Sequence, residues 1–145
     1  MSSYKLIIGS RNYSSWSLRG WLAMQQSGAE FEEVKIPFHT GDRTQLIQAQ
    51  SPSGLVPVLE DGDLVINDSL AIAEYLAERH PEAGLWPADA WARAIARAAA
   101  AEMHSGLGAL RSALPMNFSL VREGLDRSAE VDADIRRITD IWENC

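Results

Sequence analysis

Three short stretches of this 145-residue chain carry residue types suited to chemistry at a fixed point. The first is the hydroxyl pair Ser14-Ser15, between a polar loop and an apolar-periodic run. The second is Val56-Pro57, where the backbone just before the proline stands at the entrance to a strand-like segment. The third is Asp68-Ser69, two residue types that accept hydrogen bonds from the otherwise unpaired amides of a helix start. A strand entrance and an amide-rich helix start at one sheet edge suit a small peptide with a free carboxylate. The serine pair, taken alone, reads first as a helix cap. A serine nucleophile needs a base within hydrogen-bond reach. None of the three histidines, His39, His80 and His104, lies near Ser14 or Ser15 in sequence.

The elements that must position these residues follow from pattern. Val56 to Glu60 and Asp63 to Asn67 read as two short strands, and Asp61-Gly62 between them predicts a type I′ hairpin. A helix opens at Asp68-Ser69, with Leu70, Ala73, Leu76 and Ala77 at helical spacing. Upstream, the near-continuous apolar run Tyr4 to Gly9 suits a strand covered on both faces. Ser10 to Ser14 is a polar loop, and a helix runs from Ser15 to Ser27 with Gly28 as its stop. Phe31 to Ile36 reads as a second strand, and strand-helix-strand implies a right-handed parallel crossover. A short helix is expected over Arg43 to Ala49. Residues 1–80 thus form an α/β unit ordered β-α-β, α, β-β-α.

Residues 81–88 are turn-rich and read as a linker. Residues 89–145 are alanine-rich and helical. Trp91, Ile95, Ala99, Met103, Leu107, Leu110 and Leu114 predict one long amphipathic helix ended by Pro115. Val131, Ile135, Ile138 and Trp142 mark another. No glycine, asparagine or proline is expected to stop that helix, and Glu143 sits where a terminal turn favours a cation, so the helical part reads as incomplete.

Composition narrows the function classes. Hydrophobic content of 46% is ordinary for a globular chain. A net charge of −7 argues against nucleic acid, whose binders carry a basic face. No apolar run reaches the roughly 20 residues of a membrane span, and the N-terminus lacks a signal-peptide pattern. The single cysteine, Cys145, excludes an internal disulfide framework and a CxxC redox pair, and points to a reducing cytoplasm.

SSWSLRGWLAM after a first strand, then SPSGLVPVLEDG, then NDSLAIAEYL, resemble in that order the N-terminal half of a cytosolic glutathione transferase of the serine-type, zeta-like kind. AEMHSGLGALRSALPMN resembles the start of that family's helical domain. The resemblance implies a thioredoxin-like glutathione-binding domain followed by an all-helical one, of which residues 89–145 would be part. It implies glutathione as co-substrate with no metal, a small electrophilic substrate, no membrane partner, and a homodimer.

Residue by residue, Pro57 matches the family's cis-proline, and Val56 the residue whose backbone pairs with the cysteinyl part of glutathione. Asp68 and Ser69 match the pair that holds the γ-glutamyl group, Ser69 facing the α-carboxylate and Asp68 the ammonium. Ser14 or Ser15 matches the hydroxyl that faces the thiol. Leu55 stands where Lys, Arg or Gln often precedes Val-Pro, which weakens the hold on the glycyl carboxylate; His39 and Arg43 are substitutes of the right sign.

The chemistry so implied is thiol activation. A serine hydroxyl donates a hydrogen bond to the sulfur, and the positive end of the first helix favours the thiolate. Such settings lower a free thiol's pKa of about 8.5 by one or more units, each worth about 1.4 kcal/mol. The thiolate then attacks an electrophile, or adds reversibly so that a double bond isomerises, as in a maleylacetoacetate isomerase. The competing expectations are a glutathione-binding module without turnover and a docking protein.

Overall fold

The computed structural model describes residues 4–37 and 41–145; His39 lies outside them. The elements run β1 (Tyr4–Ile8), α1 (Ser15–Ser27), β2 (Phe31–Lys35), α2 (Arg43–Gln50), β3 (Val58–Asp61), β4 (Leu64–Asn67) and α3 (Ser69–Arg79). A 3-10 turn at Pro81–Ala83 follows, then α4 (Ala90–Ser105), α5 (Gly108–Ala113) and α6 (Ala129–Glu143). The chain divides into two compact units, one ending at Leu85 and one beginning at Trp86.

The first unit is built on a four-stranded sheet in the order β2-β1-β3-β4. β1 runs parallel to β2 and antiparallel to β3, and β4 is antiparallel to β3. Side chains alternate across the pleat. Tyr4, Leu6 and Ile8 of β1 therefore join Leu59, Met24 of α1, and Ile72 and Leu76 of α3 in one core. Ile7 points to the opposite face with Ile36 and Val58, against Leu46 and Ile47 of α2. Both faces of β1 are covered, as its unbroken apolar run requires. Trp21 of α1 packs at the margin of that core and donates to Glu33 Oε2 at 3.0 Å, and the Arg19 guanidinium lies 4.4 Å from the centre of the Trp16 ring.

Several boundaries differ from expectation. β3 begins at Val58, not Val56, because only from Val58 onward does it pair with β1 and β4. Asp61 pairs with Leu64, so the hairpin turns on Gly62-Asp63 rather than Asp61-Gly62. Of these two only Gly62 has positive φ (60°), so the turn follows the glycine-first pattern and is not type I′. The buried stripe of α3 is Ser69, Ile72 and Leu76; of the expected Leu70, Ala73, Leu76 and Ala77, only Leu76 lies on it.

The long helix expected from Trp91 to Leu114 is two helices. Gly106 caps α4, where a Cβ would stand 2.9 Å from the Glu102 carbonyl oxygen. Leu107 then takes a left-handed conformation (φ 59°) and turns its side chain inward, and α5 starts afresh. The apolar spacing persists through the break, which is why it reads as one helix. Asn144 is the C-cap of α6, its side-chain amide donating to the Asp140 carbonyl, which corrects the expectation that no asparagine stops this helix.

Among the described residues of the second unit, only Leu107 and Val131 are fully buried apolar side chains. Polar bridges do much of the joining. Asp134 Oδ2 of α6 accepts the Leu110 amide of α5 at 2.9 Å, supplying a cap that α5 lacks of its own. Arg111 donates to the carbonyls of Met103 and Gly106. Arg137 of α6 grips Glu102 of α4 through two nitrogens, at 2.5 and 2.7 Å. That grip holds the Glu102 carboxyl below the usual carboxylate range. A depressed folded-state pKa contributes stability above the unfolded value, about 4.3, and loses it as pH falls through the folded value. We expect the melting temperatures of wild type and Arg137→Ala to differ at pH 7 and to converge in acid. A gap of constant size down to pH 2.5 would refute this.

Candidate active site

Strand register gathers the three chemical stretches at one end of the sheet. Ile7 pairs with Val58, and Val58 with Asn67. The segment leaving β1 (Gly9 to Ser15), the segment entering β3 (Val56-Pro57) and the segment leaving β4 (Asp68-Ser69) therefore lie side by side. The end of β2 joins them, since Ile36 donates its amide to the Ile8 carbonyl. A cleft of about 630 Å³ opens here between Gly9–Tyr13 and Lys35–Pro37.

At the start of α1, Ser14 is the N-cap, its Oγ accepting the Ser17 amide at 3.3 Å. The Ser14 hydroxyl also donates to Ser17 Oγ at 3.0 Å, and Ser17 Oγ accepts the Gly9 amide at 2.9 Å. Ser17 is fully buried and so fastens the end of β1 to the first turn of α1. Ser15, the first helical residue, is half-buried and makes no hydroxyl hydrogen bond among the described residues. Two hydroxyls thus stand at the helix start, one engaged and one unengaged.

The ledge before β3 is shaped by Ser51. Its buried hydroxyl donates to the Leu55 carbonyl at 2.6 Å and accepts the Leu55 amide at 3.2 Å. Ser53 Oγ reaches Asn67 Oδ1 at 3.4 Å, linking this loop to the end of β4. The Leu55 backbone is therefore occupied, and its side chain is 70% exposed. Val56 comes next and makes no backbone hydrogen bond among the described residues, which leaves its N–H and C=O for an added strand. The Val56-Pro57 peptide bond is cis.

At the start of α3, Asp68 Oδ1 accepts the amides of Leu70 and Ala71 at 2.8 and 3.3 Å. Asp68 does this from a backbone with φ 78° and ψ 132°, a conformation that costs a non-glycine residue about 1–3 kcal/mol and tends to gather at functional sites. Ser69 is only 4% exposed. The other buried serines, Ser17, Ser27 and Ser51, all use their hydroxyls in hydrogen bonds. The Ser69 hydroxyl has no such partner among the described residues. With Leu70 and Ala71 already served, Ser69 itself is the donor left at this helix end.

Neither α1 nor α3 has an acidic residue in its first turn. The neutral Ser14 caps α1, which leaves its positive end open to an incoming anion, whereas the Asp68 carboxylate already faces the start of α3. Arg43 is the exposed first residue of α2, which packs on the cluster containing Val56. Sequence reasoning missed Ser17, Ser51 and Ser53. The signals were present in the serine three residues after Ser14 and in the Ser-Pro-Ser-Gly turn.

A mixed four-stranded sheet with helices on both faces, whose second half is strand-strand-helix, defines a thioredoxin-like domain, here followed by helices. Comparison with known proteins agrees. Residues 13–79 match the family described as glutathione S-transferase, N-terminal domain. The chain is 36% identical over 115 residues to a zeta-class glutathione S-transferase of Euphorbia esula, covering 79% of this chain and 51% of that one. It is 32% identical over 112 residues to a probable maleylacetoacetate isomerase of Caenorhabditis elegans, covering 77% and 52%. A theta-class glutathione S-transferase of Xanthomonas axonopodis pv. citri, solved with glutathione bound, superposes with a TM-score of 0.68 at 25% identity over 99% of this chain and 69% of that one. Residues 13–79 belong to the glutathione S-transferase N-terminal domain family. The chain spans about half the length of the curated relatives it matches.

Proposed function

We propose that this protein binds glutathione at the β1/β3/β4 end of the sheet and activates its thiol for attack on a small electrophile. The observation that supports the reading is Ser69, a buried serine whose hydroxyl has no partner among the described residues, two residues beyond Asn67, which pairs with Val58 just after Val56-Pro57. Ser69 takes the γ-glutamyl carboxylate, Asp68 the ammonium, and Val56 the cysteinyl backbone, while Pro57 holds the ledge. Leu55 contributes only apolar side-chain surface, so Arg43 and His39 are the cations assigned to the glycyl carboxylate. Ser14 or Ser15 faces the sulfur.

The test is calorimetric titration with glutathione followed by a conjugation assay. A hydrogen bond to a charged group contributes about 1.5–3 kcal/mol, so Ser69→Ala weakens glutathione binding about ten- to a hundredfold. Unchanged affinity in that variant removes Ser69 from the site, and no binding by wild type overturns the function.

A second reading is zeta-like isomerisation, favoured by the likeness to the C. elegans isomerase. Isomerisation of a maleyl substrate that depends on catalytic glutathione selects it over conjugation. We further propose that residues 89–145 are part of the family's helical domain, that the protein works as a homodimer, and that it resides in the cytoplasm. The last rests on its single, exposed cysteine, Cys145.

A further inference from the structure

We propose that Gly20 is a positioning residue that sets the distance between the thiol-facing hydroxyls and the peptide ledge; this rests on the glutathione reading above. Gly20 is buried on α1, one turn beyond Ser17. A Cβ at Gly20 would stand 2.9 Å from both Cβ and Cγ of Pro57, with Leu6 Cδ1 at 3.7 Å. The atoms in the way belong to a buried proline ring, which has no free rotor to swing aside. Helix and ledge touch through the one side chain that adds no atoms.

This contact joins the two halves of the site. α1 begins at Ser14 and Ser15, and Pro57 is bonded to Val56, whose open backbone forms the ledge. Ser17, three residues earlier on the same buried stripe, ties the helix start to Gly9 of β1. α1 is thus held to the sheet at both points by small side chains. A methyl group at position 20 must push apart either the helix or the ledge by about half an ångström to reach ordinary van der Waals separation. If the ledge yields, glutathione binds less well; if the helix yields, its start draws back from the sulfur. Helix propensity works the other way, since alanine is the better helix former. The sign of the effect therefore reads whether the contact with Pro57 governs.

The experiment compares wild type, Gly20→Ala, Pro57→Gly and the double variant in glutathione titrations, in the pH dependence of thiolate absorbance of the bound complex, and in melting. For Gly20→Ala we expect kcat/KM to fall at least tenfold, with either a weaker glutathione Kd or a thiol pKa raised toward that of free glutathione. A merely structural role would move melting and leave the thiol pKa and the Kd of the folded protein alone. Pro57→Gly removes both ring carbons that the new methyl meets, so in that background Gly20→Ala should no longer lower the melting temperature. That comparison stands even if the single variant Gly20→Ala fails to fold. Unchanged Kd and thiol pKa in folded Gly20→Ala, or an equal loss of melting temperature with and without Pro57, overturns the proposal. Absence of glutathione binding by wild type is a different result, and sinks the functional reading together with this one.

Discussion

On the proposed function, alanine at both Ser14 and Ser15 moves the pKa of bound glutathione toward its solution value, and conjugation at pH 7 falls by about five- to thirtyfold. The size follows from the thiol. Only the thiolate attacks, and at pH 7 its fraction falls to about one thirtieth once the pKa has climbed to about 8.5. The positive end of α1 survives the substitution, so part of the shift remains. The single variants separate the two serines. Ser14 is the N-cap of α1 and partner of Ser17, so Ser14→Ala also costs about 1 kcal/mol of stability through the lost cap. Ser15→Ala removes no hydrogen bond found among the described residues and leaves melting nearly unchanged. Whichever single variant raises the thiol pKa identifies the hydroxyl that faces sulfur. If the double variant keeps the wild-type thiolate titration and rate, neither serine activates the thiol.

Leu59→Ala destabilises the first unit by about 3–4 kcal/mol, enough to unfold a marginal domain at 37 °C. Leu59 has no exposed surface and sits on β3, between β1 and β4. It packs in the core shared by Leu6, Ile8, Met24, Ile72 and Leu76. Truncation opens a hole in the core that α1 and α3 both help to line, and strands on either side limit collapse into it. Leu64→Ala on β4 is the control. That side chain is 48% exposed, and its removal should change stability by less than about 0.5 kcal/mol. Urea titration of both variants checks the pair; a cost under 1 kcal/mol for Leu59→Ala would show that β3 is not the centre of the core. Glutathione binding should fail together with folding in Leu59→Ala and persist in Leu64→Ala.

The order of elements in the first unit was legible because local signals and periodicity agreed. Gly28 closes α1 in the left-handed conformation, at the residue the sequence marks as its stop. Asp68 caps α3 with its own side chain. Where signals were local but ambiguous, the register decided. Asp-Gly and Gly-Asp overlap in Asp61-Gly62-Asp63, and only pairing with Leu64 places the turn. The break at Gly106-Leu107 was hidden because apolar spacing reports which side chains turn inward, not whether the backbone between them is continuous. At the site, the residue types were readable at Ser14, Ser15, Val56, Pro57, Asp68 and Ser69. Their environments were not. That Ser14 is engaged by Ser17 and that the Leu55 backbone is spent on Ser51 are matters of local hydrogen-bond geometry that residue type alone does not show, and that Gly20 abuts Pro57 is a fact of distance between segments far apart in the chain.

The pairing of Ile7 with Val58 has a bearing on how the chain reaches its native state. β3 lies between β1 and β4, yet it is made only after α1, β2 and α2. Bringing β1 and β3 together closes a long loop before any contact repays the lost entropy, which slows the search. The β3–β4 hairpin and the self-capped α3 need no distant partner and can form early. During synthesis, then, β1 is expected to keep one edge unpaired until that piece emerges. Its arrival would complete the sheet and bring the segments around Ser14, Val56 and Ser69 together in the same step.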